Sequence, residues 1–293
     1  MDGLAVAARC GRETVLLACW HTRRGRPSRG NFRNCREGAV KTGFGEAPAQ
    51  FKSASQTARV DTELWASQYM FCPNCGCPTL SRFPANRPVA DFFCNDCGDE
   101  YELKSQSKGF GRKVADGAYG TKIDRLASNT SPNLILLQYD RSRRHVQNLK
   151  VVPKFFFLPS AIERRKPLGK NARRAGWIGS NILLDRIPAS GQISVIRDGF
   201  VRERSDVIDE WNQLRFVEKR VGDARGWLLE VMQCVDRIGR NDFKISDIYG
   251  FEDHLSELYP QNNNVRPKIR QQLQVLRDGG YIEFLGGGRY RLK

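Results

Sequence analysis

The sequence predicts a mixed α+β/α/β chain in two folded parts, a larger domain holding a four-cysteine metal staple and a smaller C-terminal unit of three helices and a hairpin. Three observations predict it. Two CxxC pairs, Cys72/Cys75 and Cys94/Cys97, bracket residues 76–93 at the spacing of paired metal knuckles. Short runs of apolar residues bounded by Gly, Pro and Asn recur between residues 88 and 196, as strands do. Beyond residue 223, apolar residues recur at helical spacing and give way to Gly-rich turns near the end.

Charge sets the class of partner. The 293 residues include 48 Lys and Arg against 32 Asp and Glu, a net charge of +16. Such an excess favours polyanions and is a frequent mark of nucleic-acid binding. No apolar run approaches the ~20 residues of a membrane span. The N-terminal apolar stretches are short and interrupted by Arg9 and Arg12, so the N-terminus does not read as a secretory signal. The nine cysteines are odd in number and four fall in CxxC pairs. That usage fits metal ligation in a reducing cytoplasm better than a disulfide framework.

Residues 1–43 are rich in Arg and Gly and lack periodicity, so they read as a basic, disordered leader or an over-long gene start. The leader's Cys10, Cys19, His21 and Cys35 match no common zinc spacing. The larger domain spans 44–200. It begins with a helix over 50–69, with Phe51, Ala58, Trp65 and Tyr69 on one face. Strands follow at Pro88–Phe93 and Tyr101–Ser105, then a helix over 114–128, then strands at Leu134–Tyr139, Leu149–Val152 and Gln192–Ile196. A charged linker helix covers 205–220 within a 201–222 connector.

Four thiolates from two knuckles close a tetrahedral site, so the zinc expected on Cys72, Cys75, Cys94 and Cys97 is structural. Cys77 lies just outside the first knuckle. The second knuckle occupies the turn of a hairpin whose strands hold Asp91 on one side and Glu102 and Lys104 on the other. Strand alternation puts Glu102 and Lys104 on one face, with Tyr101 and Leu103 on the other, and pairing can bring Asp91 beside Glu102. Two carboxylates can hold Mg²⁺, a hard cation that prefers oxygen. The metal activates water and neutralises charge on a phosphate, and Lys104 can orient that water. An acid-x-Lys triplet alone arises about twice by chance in a chain of ordinary composition, so the spacing by itself also fits a surface charge pair.

The C-terminal unit, 223–293, begins with a helix over Arg225–Ile238 and a short strand at Phe243–Ile245. Ser246 is placed to cap a second helix running through Leu258. A third runs over Val265–Asp278 and buries Val265, Ile269, Leu273 and Leu276, leaving Arg266, Arg270 and Gln274 exposed. Tyr281–Leu285 and Arg289–Leu292 form a hairpin. This is winged-helix order, in which the third helix enters the major groove N-terminus first. Asn262, Asn263 and Asn264 precede that helix and suit adenine edges. Arg266, Arg270 and Arg289 suit phosphates.

The segments SQYMFCPNCG, NRPVADFFCNDC, YELKS, DGAYGTKIDR, RRAGWIGSN and IRQQLQVLRDGGYIEF resemble the PD-(D/E)xK nucleases, and more closely the DpnI-like methyl-directed restriction endonucleases. The resemblance runs from about Phe44 to Lys293. It implies Mg²⁺-dependent cleavage of double-stranded DNA at GATC bearing N6-methyladenine, by a nuclease domain followed by a winged helix, acting as a monomer. It implies Asp91 and Glu102 as Mg²⁺ ligands, Lys104 as the catalytic lysine, and the four knuckle cysteines on zinc. It also implies that Trp177 meets the methylated adenines, and Arg173 and Arg174 are placed beside it for phosphates or guanine edges. Without the resemblance, Trp177 reads as core and both arginines as solvated. Pro88 stands three residues before Asp91 rather than next to it. Asp61, Glu63 and Gln56 on the first helix are the candidates for a third ligand. A different class, a non-enzymatic zinc-ribbon and winged-helix transcription regulator, also accounts for the charge, the cysteines and the C-terminal unit.

Overall fold

The computed structural model describes residues 40–45, 53–84 and 90–293. Most of the leader, Phe51 and Pro88 lie outside the described residues. Helix α1, Ala54–Tyr69, buries Trp65 and Ala66. Its Trp65 indole N–H donates to the Lys41 carbonyl at 2.7 Å.

The strands β1 (Ser81–Arg82), β2 (Phe92–Phe93) and β3 (Glu100–Gln106) lead into the centre of a seven-stranded sheet. Next come β4 (Lys113–Ala118), α2 (Tyr119–Ala127), β5 (Asn133–Asp140) and β6 (His145–Val152). The short strands β7 (Ile162–Arg164) and β8 (Gly179–Leu183) are followed by β9 (Ile193–Arg197) and β10 (Phe200–Val201). The large sheet runs β1-β2-β3-β5-β6-β9-β10, and only β3 and β5 pair in parallel. A parallel pair needs a long crossover, and β4 with α2 supplies it. The LILL run of β5 is buried on both faces, as a central strand should be. A second sheet, β4-β8-β7, is antiparallel throughout.

One expected element changes identity. The helix expected over 114–128 starts only at Tyr119, and residues 113–118 form β4. Gly117 disfavours helix, and Val114 pairs with Ile182 of β8, where both are buried. Tertiary pairing thus outweighs local preference. Of the expected 88–93 strand, residues 88 and 89 lie outside the described residues and Phe92–Phe93 are strand, while the other expected strands are found within a residue or two or, like β6, longer.

The expected linker helix is two, α3 (Arg204–Gln213) and α4 (Arg215–Glu218), broken at Leu214. Val207 and Trp211 bury it against the large domain, with Trp211 edge-on to Phe155. Helix α5, Gly222–Ile238, starts three residues earlier than expected. Strand β11 (Asp242–Lys244) follows. The expected second helix divides into α6 (Ile245–Tyr249) and α7 (Glu252–Leu258) at Gly250-Phe251. Ser246 is inside α6 and caps nothing. Asp247 instead reaches back, accepting from the Lys244 amide at 2.7 Å.

Helix α8, Val265–Asp278, has the expected bounds and buries the expected stripe. Strands β12 (Ile282–Gly286) and β13 (Arg289–Leu292) close a three-stranded sheet in the order β11-β13-β12. Gly279 lies flat on Phe216, where a Cβ would meet the ring at 2.6 Å, so the end of α8 seats on α4. No helix among the described residues is long and apolar enough to cross a membrane.

Candidate active site and metal centre

The knuckles form as their sequence requires. Gly76 and Gly98 adopt positive φ (81° and 75°), which lets each chain fold back so that its amide donates to the first cysteine's carbonyl. All four sulfurs of Cys72, Cys75, Cys94 and Cys97 lie within 4.8 Å of one another. Two edges of the cluster measure 3.6 Å (Cys72–Cys97) and 3.5 Å (Cys75–Cys94). A tetrahedral zinc with Zn–S bonds of about 2.3 Å needs edges of about 3.8 Å. The donor set therefore fits zinc, with no position left open. Cys77 stays outside the cluster, its thiol against the Thr79 carbonyl.

From this staple the chain enters β2 and β3. Phe92 pairs with Tyr101, which sets Asp91 opposite Glu102 one step further along. The Asp91 amide donates to the Tyr101 carbonyl, and its carboxylate accepts the Leu103 amide at 2.8 Å. Burial raises the Asp91 carboxyl above its ordinary range, opposed by that amide and by Lys104.

A cleft of about 610 Å³ opens beside β3, lined by Glu63, Asp91, Glu102 and Lys104 together with Ser55, Arg59 and Thr62 of α1. Of the three helix candidates, Glu63 faces this cleft. Asp61 turns away to Arg144 at 3.5 Å, and Gln56 is exposed and does not line the cleft. Glu63 is held by Arg59 at 2.6 Å and by Arg82. Three carboxylates line the cleft and are hard oxygen donors of the kind Mg²⁺ favours, while both Glu63 and Glu102 are here ion-paired to basic side chains.

Behind Glu102 lies an array that the sequence spacing did not reveal. Lys104 Nζ stands 2.7 Å from Glu102 Oε1 and 2.7 Å from Asp116 Oδ1. Lys122 Nζ stands 2.9 Å from Glu102 Oε2 and 3.1 Å from Asp116 Oδ2. Each lysine bridges both acids, and each acid gives one oxygen to each lysine. Burial raises Glu102, against the pull of Lys122 and Lys104. Burial would raise Asp116 as well, but the two lysines outweigh it and hold that carboxyl well below its usual range. Asp116 was hidden by the expected helix over 114–128. Lys122 had a visible signal, a lysine one turn before Leu126 on the buried side of α2.

Trp177 sits in the loop joining β7 to β8 and is half-buried, its ring against Gly179, where a Cβ would approach to 2.8 Å. It is therefore neither free nor core. Arg173 and Arg174 are exposed and make no ion pair among the described residues. No acid occurs from Arg164 to Leu184, while Arg164, Arg165, Lys166 and Lys170 add to the charge. This loop leads straight into β8, where Ser180 pairs with Asp116.

In the C-terminal unit, Asn263 and Asn264 are exposed, whereas Asn262 Oδ1 accepts the Asn264 amide at 2.8 Å and shapes the approach to α8. Arg266 is held by Glu252 at 2.8 Å and lies over the Tyr249 ring. Arg270 Nε donates to the Tyr249 hydroxyl at 2.6 Å. Arg289 is exposed on β13.

Comparison with known families gives two matches. Residues 45–220 match the DpnI model, described as the Dam-replacing family, and residues 223–292 match the DpnI_C model, the Dam-replacing HTH domain.

Proposed function

The chain belongs to the DpnI Dam-replacing family, and on that premise we propose that it is a type II methyl-directed restriction endonuclease of bacterial cytoplasm. It hydrolyses double-stranded DNA at GATC sites bearing N6-methyladenine, as a monomer, with Mg²⁺ for catalysis and Zn²⁺ for structure. The observation that carries this reading is the convergence of Glu63, Asp91, Glu102 and Lys104 on one cleft. In this reading the β2–β3 hairpin serves as that of a PD-(D/E)xK core; its acid pair opposite one another, with the lysine two residues on, supports that.

In this reading Asp91 and Glu102 ligate Mg²⁺, with Glu63 the helix acid nearest to join them. Bound Mg²⁺ lowers the pKa of water and neutralises charge on the scissile phosphate. Lys104, at the open side of the array, turns from its carboxylates to orient the attacking water or stabilise the developing charge. Closing the cleft against the duplex removes bulk water and strengthens these interactions.

Recognition is divided between the two domains. Trp177 offers an apolar face to the N6-methyl groups in the major groove, in the way a thymine methyl is read. Arg173 and Arg174 flank it for phosphates or guanine edges. From the winged helix, Asn262, Asn263 and Asn264 approach base edges at the start of α8, while Arg266, Arg270 and Arg289 hold the backbone. Both arginines contact Tyr249, and in this reading Arg266 exchanges its Glu252 partner for phosphate when DNA binds.

The test compares the full chain with Asp91→Ala on adenine-methylated DNA in Mg²⁺. Cutting by the first alone supports the reading. Zinc-loaded protein that binds DNA without cutting would assign the chain to the transcription-regulator class instead.

A further inference from the structure

Lys122 is a buried charge beside the cleft acids that the proposed reaction leaves without a task. Its side chain is 3 % exposed, and it does not line the cleft. It stands behind the two acids with the Phe157 ring 5.6 Å away on the other side. Lys104, by contrast, lines the cleft and is 20 % exposed. The two lysines of the array are thus unlike. One can leave toward solvent or substrate, and the other is sealed in.

That asymmetry sorts the carboxylate oxygens. Lys122 takes Oε2 of Glu102 and Oδ2 of Asp116, the inner pair, and Lys104 takes Oε1 and Oδ1, the outer pair. A glutamate has three rotatable bonds, and Mg²⁺ demands near-ideal octahedral geometry at about 2.0–2.1 Å. Leaving Glu102 free to turn would spoil that geometry whenever Lys104 departs. An array of four buried charges is also a poor way to gain stability, since apolar side chains of similar volume are often no worse.

We infer that Lys122 is a positioning residue of the catalytic centre: it holds Glu102 by a hydrogen bond to Oε2, with Asp116 Oδ2 at ion-pair distance, so that Glu102 keeps its orientation toward the cleft while Asp116 Oδ1 aims Lys104. The inference rests on the proposed nuclease reading of this cleft and assigns work to two residues, Lys122 and Asp116, outside its acid-acid-lysine triplet. It also gives α2 a purpose. The helix follows β4 directly, so Asp116 and Lys122 are delivered by one turn of chain.

The sign of one measurement separates positioning from mere charge. A lysine acting only as a nearby cation repels Mg²⁺, so its removal would tighten metal binding. A lysine that holds the ligand in place does the opposite. Mg²⁺ is titrated calorimetrically into the full zinc-loaded chain and into Lys122→Met, and steady-state cleavage is measured alongside. The expected result is Mg²⁺ affinity and kcat both lower by roughly 10- to 100-fold, the usual effect of losing an outer-shell partner, with KM for DNA little changed. Lys122→Arg, which keeps the donor and the charge, should recover part of both.

Should Lys122→Met fail to fold, the Asp116→Asn/Lys122→Met pair keeps the local net charge, so weaker Mg²⁺ binding by it still reports the lost hold on Glu102 and unchanged binding overturns that role. Unchanged or tighter Mg²⁺ binding in a folded variant overturns the positioning role while leaving the nuclease intact. Absence of Mg²⁺ binding and cutting in the unaltered chain would instead remove the reading on which it rests, and this inference with it.

Discussion

The Tyr101 hydroxyl lies 3.1 Å from the Cys72 sulfur, on the opposite face of β3 from Glu102 and Lys104. One strand therefore has the four-cysteine cluster on one side and the cleft acids on the other. Tyr101 is fully buried, so β3 is packed against the cluster on the face opposite the cleft. Zinc bound by the knuckles would fix the hairpin, and the hairpin sets the register that puts Asp91 opposite Glu102.

Loss of one zinc ligand should therefore be felt in both stability and cleavage. Structural zinc contributes about 10–16 kcal/mol of folding free energy in small zinc domains. Cys94→Ser should lower the large domain's melting temperature by roughly 10 °C or more and abolish cutting. Calorimetry with and without a chelator checks this. Equal melting of both proteins would show that the cluster does not act through a metal.

Asp91→Ala should separate binding from chemistry. Removing this carboxylate takes a metal ligand but no DNA contact, so cleavage should fall by about 10³-fold while a gel shift on methylated DNA is retained. Undiminished cutting by this variant would remove the proposed site.

The two readings differ in how far the sequence could lead. The cysteine spacing was sufficient for the cluster because each CxxC turn presents both sulfurs within a few residues. Asp91, Glu102 and Lys104 were legible for the same reason, as neighbours across one hairpin. Glu63 was left among three candidates because helix phase alone could not say which side of α1 meets β3. Asp116 and Lys122 were missed because their positions depend on β4 pairing with β8, a contact between residues far apart in sequence. The Ser246 cap failed to form for a local reason: α6 starts at Ile245, so Asp247 falls at the third helical position, where it binds back to the Lys244 amide.

Trp177→Ala should weaken discrimination rather than binding in general. A recognition contact at one base pair is typically worth about 1–3 kcal/mol, so preference for methylated over unmethylated sites should shrink by roughly tenfold or more. Non-specific affinity, dominated by phosphate contacts, should change little. Fluorescence anisotropy on the two duplexes measures both. Equal losses on each would assign the indole to packing on Gly179.

Glu230 on α5 offers a test of the C-terminal unit by pH. It is 4 % exposed, its Oε2 lacks a hydrogen-bond partner, and burial raises its carboxyl despite Arg186 and Arg237. A raised folded-state value means that this group favours folding below the unfolded carboxylate range and loses that contribution as pH rises through the folded value. Near neutrality the ionised form is the costly one. Glu230→Gln should raise the melting temperature at pH 7 and flatten the decline between mildly acidic and neutral pH. A lower melting temperature at pH 7 would mean that attraction to the two arginines outweighs burial.

The most direct test of the central claim is digestion of one plasmid, prepared with and without adenine methylation at GATC, by the full chain in Mg²⁺. The account predicts discrete fragments ending at GATC from the methylated form, none from the unmethylated form, and none from either in a chelator. Equal cutting of the two forms would contradict methyl-directed recognition, and intact plasmid in both would contradict the nuclease itself.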